Sequence, residues 1–170
     1  MTAEEELRHL QFGPAAPERP VGLGLLRFTA HCQANADRVL KRSKEVMCIL
    51  LQHVSGEWPS LDEWRNILPE WFVLKCAPET TEEEDERWLA WWRKLSIDQQ
   101  AQAMMEKRWT LSGWIYWFQP GKREWFWWDA AVDHDTRFRV SLENHEWPCP
   151  VGAFEWLLRA SGALDVNSEH

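Results

Sequence analysis

The spacing of apolar residues predicts helices over roughly the first two-thirds of the chain. Across residues 21–54 apolar side chains recur near the helical period, which predicts one long helix or two helices with a break near Asn35. Ser60 precedes Glu63 by three residues, the spacing at which each side chain satisfies a backbone N–H of the first turn. We therefore expect a short helix over residues 61–67.

A further helix is predicted after Thr81, because the charges of this segment follow the helix dipole. Acidic residues occupy all of positions 82–86, at the positive N-terminal end, and basic residues occupy positions 93–94, at the negative end. Trp88 and Trp92 fall on one face of this helix, and we assign both side chains to the core.

The pattern changes to a period of two after Trp109, which predicts β-strands. A Pro120-Gly121 turn and a polar loop around residues 133–135 separate the alternating stretches. The strands are expected at residues 109–118, 123–130 and 136–143. Together they predict a three-stranded antiparallel meander.

The second of these strands is expected in the middle of the sheet. Trp125 and Trp127 point to one side and Phe126 and Trp128 to the other, so both of its faces are apolar. The third strand alternates between apolar residues and polar ones such as Arg137 and Arg139, so only one of its faces is expected to meet the core.

These elements predict a single α+β domain over residues 21–165, in which a helical N-terminal region packs on the meander and a C-terminal helix returns to the sheet. Residues 1–20 contain a short acidic stretch and a linker rich in proline, and we expect them to be peripheral. Residues 166–170 are expected to form a frayed tail.

Composition narrows the possible partners and the compartment. The net charge of −8 disfavours nucleic acid as a partner, because the long-range field repels a phosphate backbone. No stretch of about 18 apolar residues occurs, so no membrane partner is expected. The first residues lack the basic start and apolar run of a secretory signal, and a cytoplasmic location is predicted.

A polar cluster near the third strand is the most enzyme-like feature of the sequence. Asp129, Asp133, His134 and His145 combine carboxylates and imidazoles that can bind a cation or act as acid and base. Turn chemistry explains the aspartates better, because Asp side chains bond nearby backbone amides in loops. The segment that starts at His145 lacks the second ligands of zinc motifs. We predict no catalytic residue, metal or cofactor, and the sequence leans away from an enzyme without excluding one.

The aromatic hairpin supplies the leading candidate for a binding surface. Arg137 and Arg139 share one sheet face with part of the hairpin, and Trp and Arg are enriched at interface hot spots. The register is open, so the tryptophans of that face are either Trp125 and Trp127 or Trp114 and Trp128. If helices cover the face, these residues are core; if not, they form a binding surface or a homodimer seam.

Two functions follow from these patterns. The leading hypothesis is a small, soluble, non-enzymatic module that binds another protein through the aromatic-arginine face or through its acidic helical surface, as an immunity-type neutraliser or a regulatory partner does. The alternative is an enzyme or small-ligand binder with an apolar pocket between helices and sheet, with the polar cluster at its mouth.

Overall fold

The computed structural model describes residues 1–169, and within them the chain forms eight α-helices and four β-strands. The elements in chain order are α1 (Ala3–Phe12), β1 (Gly24–His31), α2 (Ala36–His53), α3 (Leu61–Ile67), α4 (Glu70–Val73), α5 (Glu82–Trp92), α6 (Ile97–Glu106), α7 (Leu111–Tyr116), β2 (Trp125–His134), β3 (Arg137–Asn144), α8 (Gly152–Ser161) and β4 (Asp165–Glu169).

The four strands form one antiparallel sheet in the order β2-β3-β1-β4. Strands β1 and β2 run parallel to each other with β3 between them, and β3 and β4 run parallel with β1 between them. Each parallel pair is connected through helices, α2 to α7 in the first case and α8 in the second. This βαββαβ order is the ferredoxin-like, split βαβ topology. Helix α1 precedes it, and α3 to α7 are inserted between α2 and β2.

Helices α1, α2 and α8 pack on one face of the sheet and bury the core there. The inward side chains of the two central strands include Phe28, Phe138 and Leu142, none of which is exposed. Phe154 of α8 lies at their centre, with its ring centroid 5.1 Å from that of Phe28. The α+β class is thus confirmed. None of the described helices has the combination of length and apolar character that a membrane crossing requires.

Residues 24–31 form strand β1, where the sequence predicts a helix that starts at residue 21. The predicted meander of three strands is also wrong, because the sheet contains four strands in a different order. Leu26, Phe28 and Ala30 point into the core while the residues between them point outward, which is a period of two. The strand runs almost directly into the amphipathic helix α2, so a long window averages the two patterns into one helical signal.

Helix α7 replaces the strand predicted over residues 109–118. Thr110 caps it by accepting a hydrogen bond from the Gly113 N–H at 3.1 Å, and Leu111, Trp114 and Ile115 are buried at helical spacing. The Pro120-Gly121 turn therefore leads from a helix into β2 rather than between two strands.

Both chain ends are packed where the sequence predicts peripheral segments. Helix α1 begins with a capping box between Thr2 and Glu5, and it buries Glu6 and His9 against β2 and α2. At the other end β4 pairs with β1 and buries Val166.

Candidate binding surface

The four hairpin tryptophans proposed from the sequence are buried in the core. Trp125 and Trp127 pack against the Phe154 ring at centroid distances of 5.1 and 5.9 Å. The Trp114 indole Nε1 donates to the backbone carbonyl of Ala153 at 2.9 Å. Trp128 lies where a β-bulge interrupts the pairing of β2 and β3, and it is buried against α1.

Arg137 and Arg139 lie on the opposite, open face of the sheet. Both guanidinium groups bind the carboxylate of Asp133, Arg139 at 2.8 and 2.9 Å and Arg137 at 3.0 Å. The hydrogen bonds from Arg139 lower the pKa of Asp133. The sheet thus separates these arginines from the four tryptophans.

The polar cluster is likewise dispersed. Asp133 is engaged by the two arginines, and His134 Nδ1 lies 3.0 Å from the Thr136 hydroxyl in the β2-β3 turn. His145 follows the far end of β3, where its ring packs edge-on against Phe126. No group of three or more His, Cys, Asp or Glu in residues 1–169 is placed to hold a metal ion.

A different part of the molecule displays apolar surface, namely the hairpin of α5 and α6, residues 82–106, which we call the arm. Neither helix buries a single residue, although both carry large apolar side chains. Trp91 is half exposed and Met105 is 60% exposed. Trp88 and Trp92, assigned to the core from the sequence, are only half-buried and stack on each other at 6.3 Å.

The arm is closed at its base by contacts between residues 75–79 and 108–112, which we call the neck. The Ala77 N–H donates to the Trp109 carbonyl at 2.8 Å. The Arg108 guanidinium donates to the carbonyls of Lys75 and Cys76, each at 2.8 Å. Glu79 accepts hydrogen bonds from the backbone and hydroxyl of Ser112. These contacts fix the position at which the arm joins the rest of the chain, which we call the body.

The arm is strongly acidic. Residues 82–106 contain seven carboxylates and three basic side chains, a net charge of −4. Thr81 caps α5, and the carboxylates at positions 82–85 fill its first turn. None of the residues 82–86 is buried, so their charges face solvent.

Two depressions flank Trp88. The first, the arm groove, holds about 400 Å³ between α5 and α6 and is lined by Trp88, Trp91, Leu95 and Ala103 among others. The second, the aromatic cleft, holds about 700 Å³ between the arm and the segment that contains α7. Its large apolar lining residues are Trp88, Leu89, Met104, Trp109, Tyr116 and Trp117.

The aromatic cleft has the size of a small-molecule site, since such pockets span about 300–1,000 Å³. It lies between helices, whereas the sequence predicts a pocket between helices and sheet. Its polar lining includes Asp85 and Lys107, and the Lys107 ammonium lies 3.7 Å from the centroid of the Trp88 ring.

The sequence indicates the acidic helical surface as a possible binding surface but assigns Trp88 and Trp92 to the core, although one signal of exposed apolar side chains was present. Leu89, Trp91 and Leu95 accompany Trp88 and Trp92, and at 3.6 residues per turn these five positions span roughly 160° of the helix circumference. That is wider than the stripe of about 100° that faces a core. The excess width marks apolar residues that the chain itself does not bury.

Comparisons with protein-family models, with curated protein sequences and with solved structures find no match for this chain.

Proposed function

We propose that this protein is a protein-binding module that holds a basic, amphipathic helical segment of a partner protein against its arm. The observation that carries the proposal is that α5 and α6 expose large apolar side chains and bury no residue. Clustered apolar surface of this kind typically marks interaction sites, because its removal from water drives association.

The charge of the arm argues for a basic partner. Its net charge of −4 is half of the net charge of the whole chain. A surface of this sign attracts cationic segments during diffusion and repels acidic ones. An immunity-type role, in which an acidic surface neutralises a basic protein in the cytoplasm, is the form of the leading hypothesis that this charge supports.

The shape of the arm argues for a helix as the bound element. Two antiparallel helices present a groove between them, and apolar anchors at i, i+3 and i+4 of a third helix fit such a groove. Trp91 lines the groove and offers a large ring with an indole N–H, a combination common at hot spots.

A designed 18-residue peptide with leucines on one helical face and lysines on the other tests the proposal, with binding measured by fluorescence anisotropy. We expect the peptide to bind and a Trp91→Ala, Leu95→Ala double variant, which truncates two side chains that line the groove, to weaken binding at least about tenfold, since hot-spot truncations cost about 2 kcal/mol or more. A Val21→Ala, Leu164→Ala variant, which truncates two exposed apolar side chains outside the arm, is the matched control.

Two results contradict the proposal. One is equal binding by the arm variant and the control variant. The other is equal binding of a peptide in which glutamates replace the lysines, because the arm charge then plays no part in recognition.

The volume and aromatic lining of the cleft favour a second candidate, a small-ligand binder. A thermal-shift screen of small molecules, repeated on a Trp109→Ala variant, tests it. A ligand that raises the Tm of the wild type and not of the variant supports this candidate, and the absence of any such ligand counts against it.

A further inference from the structure

We propose that the aromatic cleft receives a lysine side chain of the bound partner, and that the partner's ammonium replaces the Lys107 ammonium on the Trp88 ring. This inference rests on the proposed function, since it names the group by which the partner is recognised.

The first observation is that the rings bordering the cleft already act as cation sites within the chain. The Lys107 Nζ atom lies 3.7 Å from the Trp88 ring centroid, well inside the distance of about 6 Å at which a ring face attracts a cation. The Lys122 Nζ atom lies 5.1 Å from the centroid of Tyr116, a second ring of the cleft. Two of the rings that contribute to the cleft thus already have an ammonium group within cation–π distance, although the second, Lys122, does not itself line the cleft.

The second observation is the composition of the lining. Trp88, Trp109, Tyr116 and Trp117 contribute four aromatic rings, and Asp85 contributes a carboxylate. Several rings around an alkylammonium group, with a carboxylate nearby, form the cage that recognises such cations. Asp85 is held in place by the Thr80 hydroxyl, which donates to it at 2.8 Å.

Charge balance favours exchange over simple addition. Lys107 and Arg108 both line the cleft, so an extra cation would meet two positive charges there. Arg108 is anchored to the carbonyls of Lys75 and Cys76, but Lys107 is an exposed residue that follows the end of α6. If Lys107 swings into solvent as the partner's lysine enters, the charge in the cleft does not change.

The chain's own lysine is therefore a competitor for the site. It covers the Trp88 ring in the free protein and must be displaced by any partner that uses this ring. Removing its ammonium leaves the rings and Asp85 in place and is expected to strengthen, rather than weaken, the binding of a cation.

The test uses n-butylammonium, which reproduces a lysine side chain, and n-butanol as its uncharged counterpart. Binding to the full chain is followed by NMR of the indole N–H signals, with Trp88→Phe and Trp109→Phe variants for assignment. We expect butylammonium to shift both signals and Lys107→Met to tighten its binding about fivefold, within the range of cation–π energies. Lys94→Met, which removes an arm lysine outside the cleft, should leave the affinity unchanged.

Equal shifts by butanol, or an affinity that Lys107→Met leaves unchanged or reduces, would overturn the inference. If the leucine-lysine peptide binds the arm while butylammonium does not shift the indole N–H signal of Trp88, the cleft inference fails and the proposed function stands. If butylammonium binds but the peptide does not, the proposed function fails, and with it the assignment of the cation to a partner protein.

Discussion

Glu6 and Arg123, which are 117 residues apart in sequence, form a buried bidentate ion pair between α1 and the residues just before β2. The Oε1–Nη1 distance is 2.5 Å and the Oε2–Nη2 distance is 2.6 Å, and Glu6 also accepts the backbone N–H of Trp127 at 2.7 Å. The Arg123 guanidinium in turn lies over the rings of Trp125 and Phe126. This pair connects α1 to the aromatic part of the core.

Replacing Glu6 with Gln should destabilise the fold strongly. The Arg123 side chain is only 9% exposed, so the variant leaves a buried cation without its carboxylate. We expect the free energy of unfolding to fall by about 3 kcal/mol, the lower end of the cost of breaking a buried ion pair. Urea denaturation measures the change. The matched control is Glu4→Gln, an exposed position on the same helix, and a similar loss in both variants would contradict the role of the pair.

Replacing Gly22 with Ala should displace the segment that leads into β1. A Cβ atom at this position would lie 2.2 Å from the backbone carbonyl oxygen of Asn144, so the backbone must move. Movement weakens the hydrogen bonds that the buried Glu143 carboxylate accepts from the Val21 and Gly22 N–H groups at 2.5 and 2.8 Å.

We expect a loss of about 2 kcal/mol in the Gly22→Ala variant, as is typical of overpacking, and faster hydrogen exchange at Val21. Burial raises the pKa of Glu143, but the hydrogen bonds from the Gly22 and Val21 N–H groups together with the nearby His145 outweigh burial, and the net direction is downward. Gly56→Ala is the control, because nothing lies near its added methyl group. Unchanged exchange at Val21 would disprove the predicted movement.

Glu18 should make stability depend on pH in the acidic range. A hydrogen bond from Arg8, the largest contribution, and one from His9 lower the pKa of Glu18 from 4.5 to about 2. Because the folded-state pKa is the lower one, the stabilisation is fully present above about 4.5 and is lost as the pH falls through about 2.

The Glu18→Gln variant should therefore have a lower Tm than the wild type at neutral pH, and the two values should converge as the pH approaches 2. Thermal melts followed by circular dichroism give both curves. A Tm difference that stays constant over this pH range would show that Glu18 acts through packing rather than through its charge.

The open sheet face provides a further prediction. Arg137→Ala and Arg139→Ala together remove the two groups that hold Asp133 on that face. Since this face lies apart from the arm, the double variant should bind the leucine-lysine peptide with the affinity of the wild type. A loss of binding in the same anisotropy assay would show that the peptide binds through the sheet face.

Local signals in the sequence predicted several elements correctly. The capping pairs at Ser60 and Thr81 mark the starts of α3 and α5, because the bonds they make lie within one turn. The alternating pattern predicted for β3 is confirmed as well, since Phe138, Val140 and Leu142 are all buried. These signals require no knowledge of what lies across the core.

The elements that were missed depend on long-range contacts. Strand β4 has little apolar character of its own and exists through its pairing with β1. Helix α7 was missed because large aromatic residues favour strands by propensity, whereas here Trp114 is fixed by the core around Phe72 and Trp156. For the arm, periodicity shows which side of a helix is apolar but not whether another element covers it.

The hydrogen bond between Ala77 and Trp109 brings two positions 32 residues apart in sequence into direct contact at the neck. Because the two ends of the arm lie side by side at the neck, the arm can change in length and sequence without changing the geometry of the sheet. Under the proposed function, substitutions, insertions or exchange of the entire hairpin should change what is bound while the βαββαβ body keeps its fold. The residues that form the fold and the residues proposed to bind a partner thus lie in separate parts of the chain.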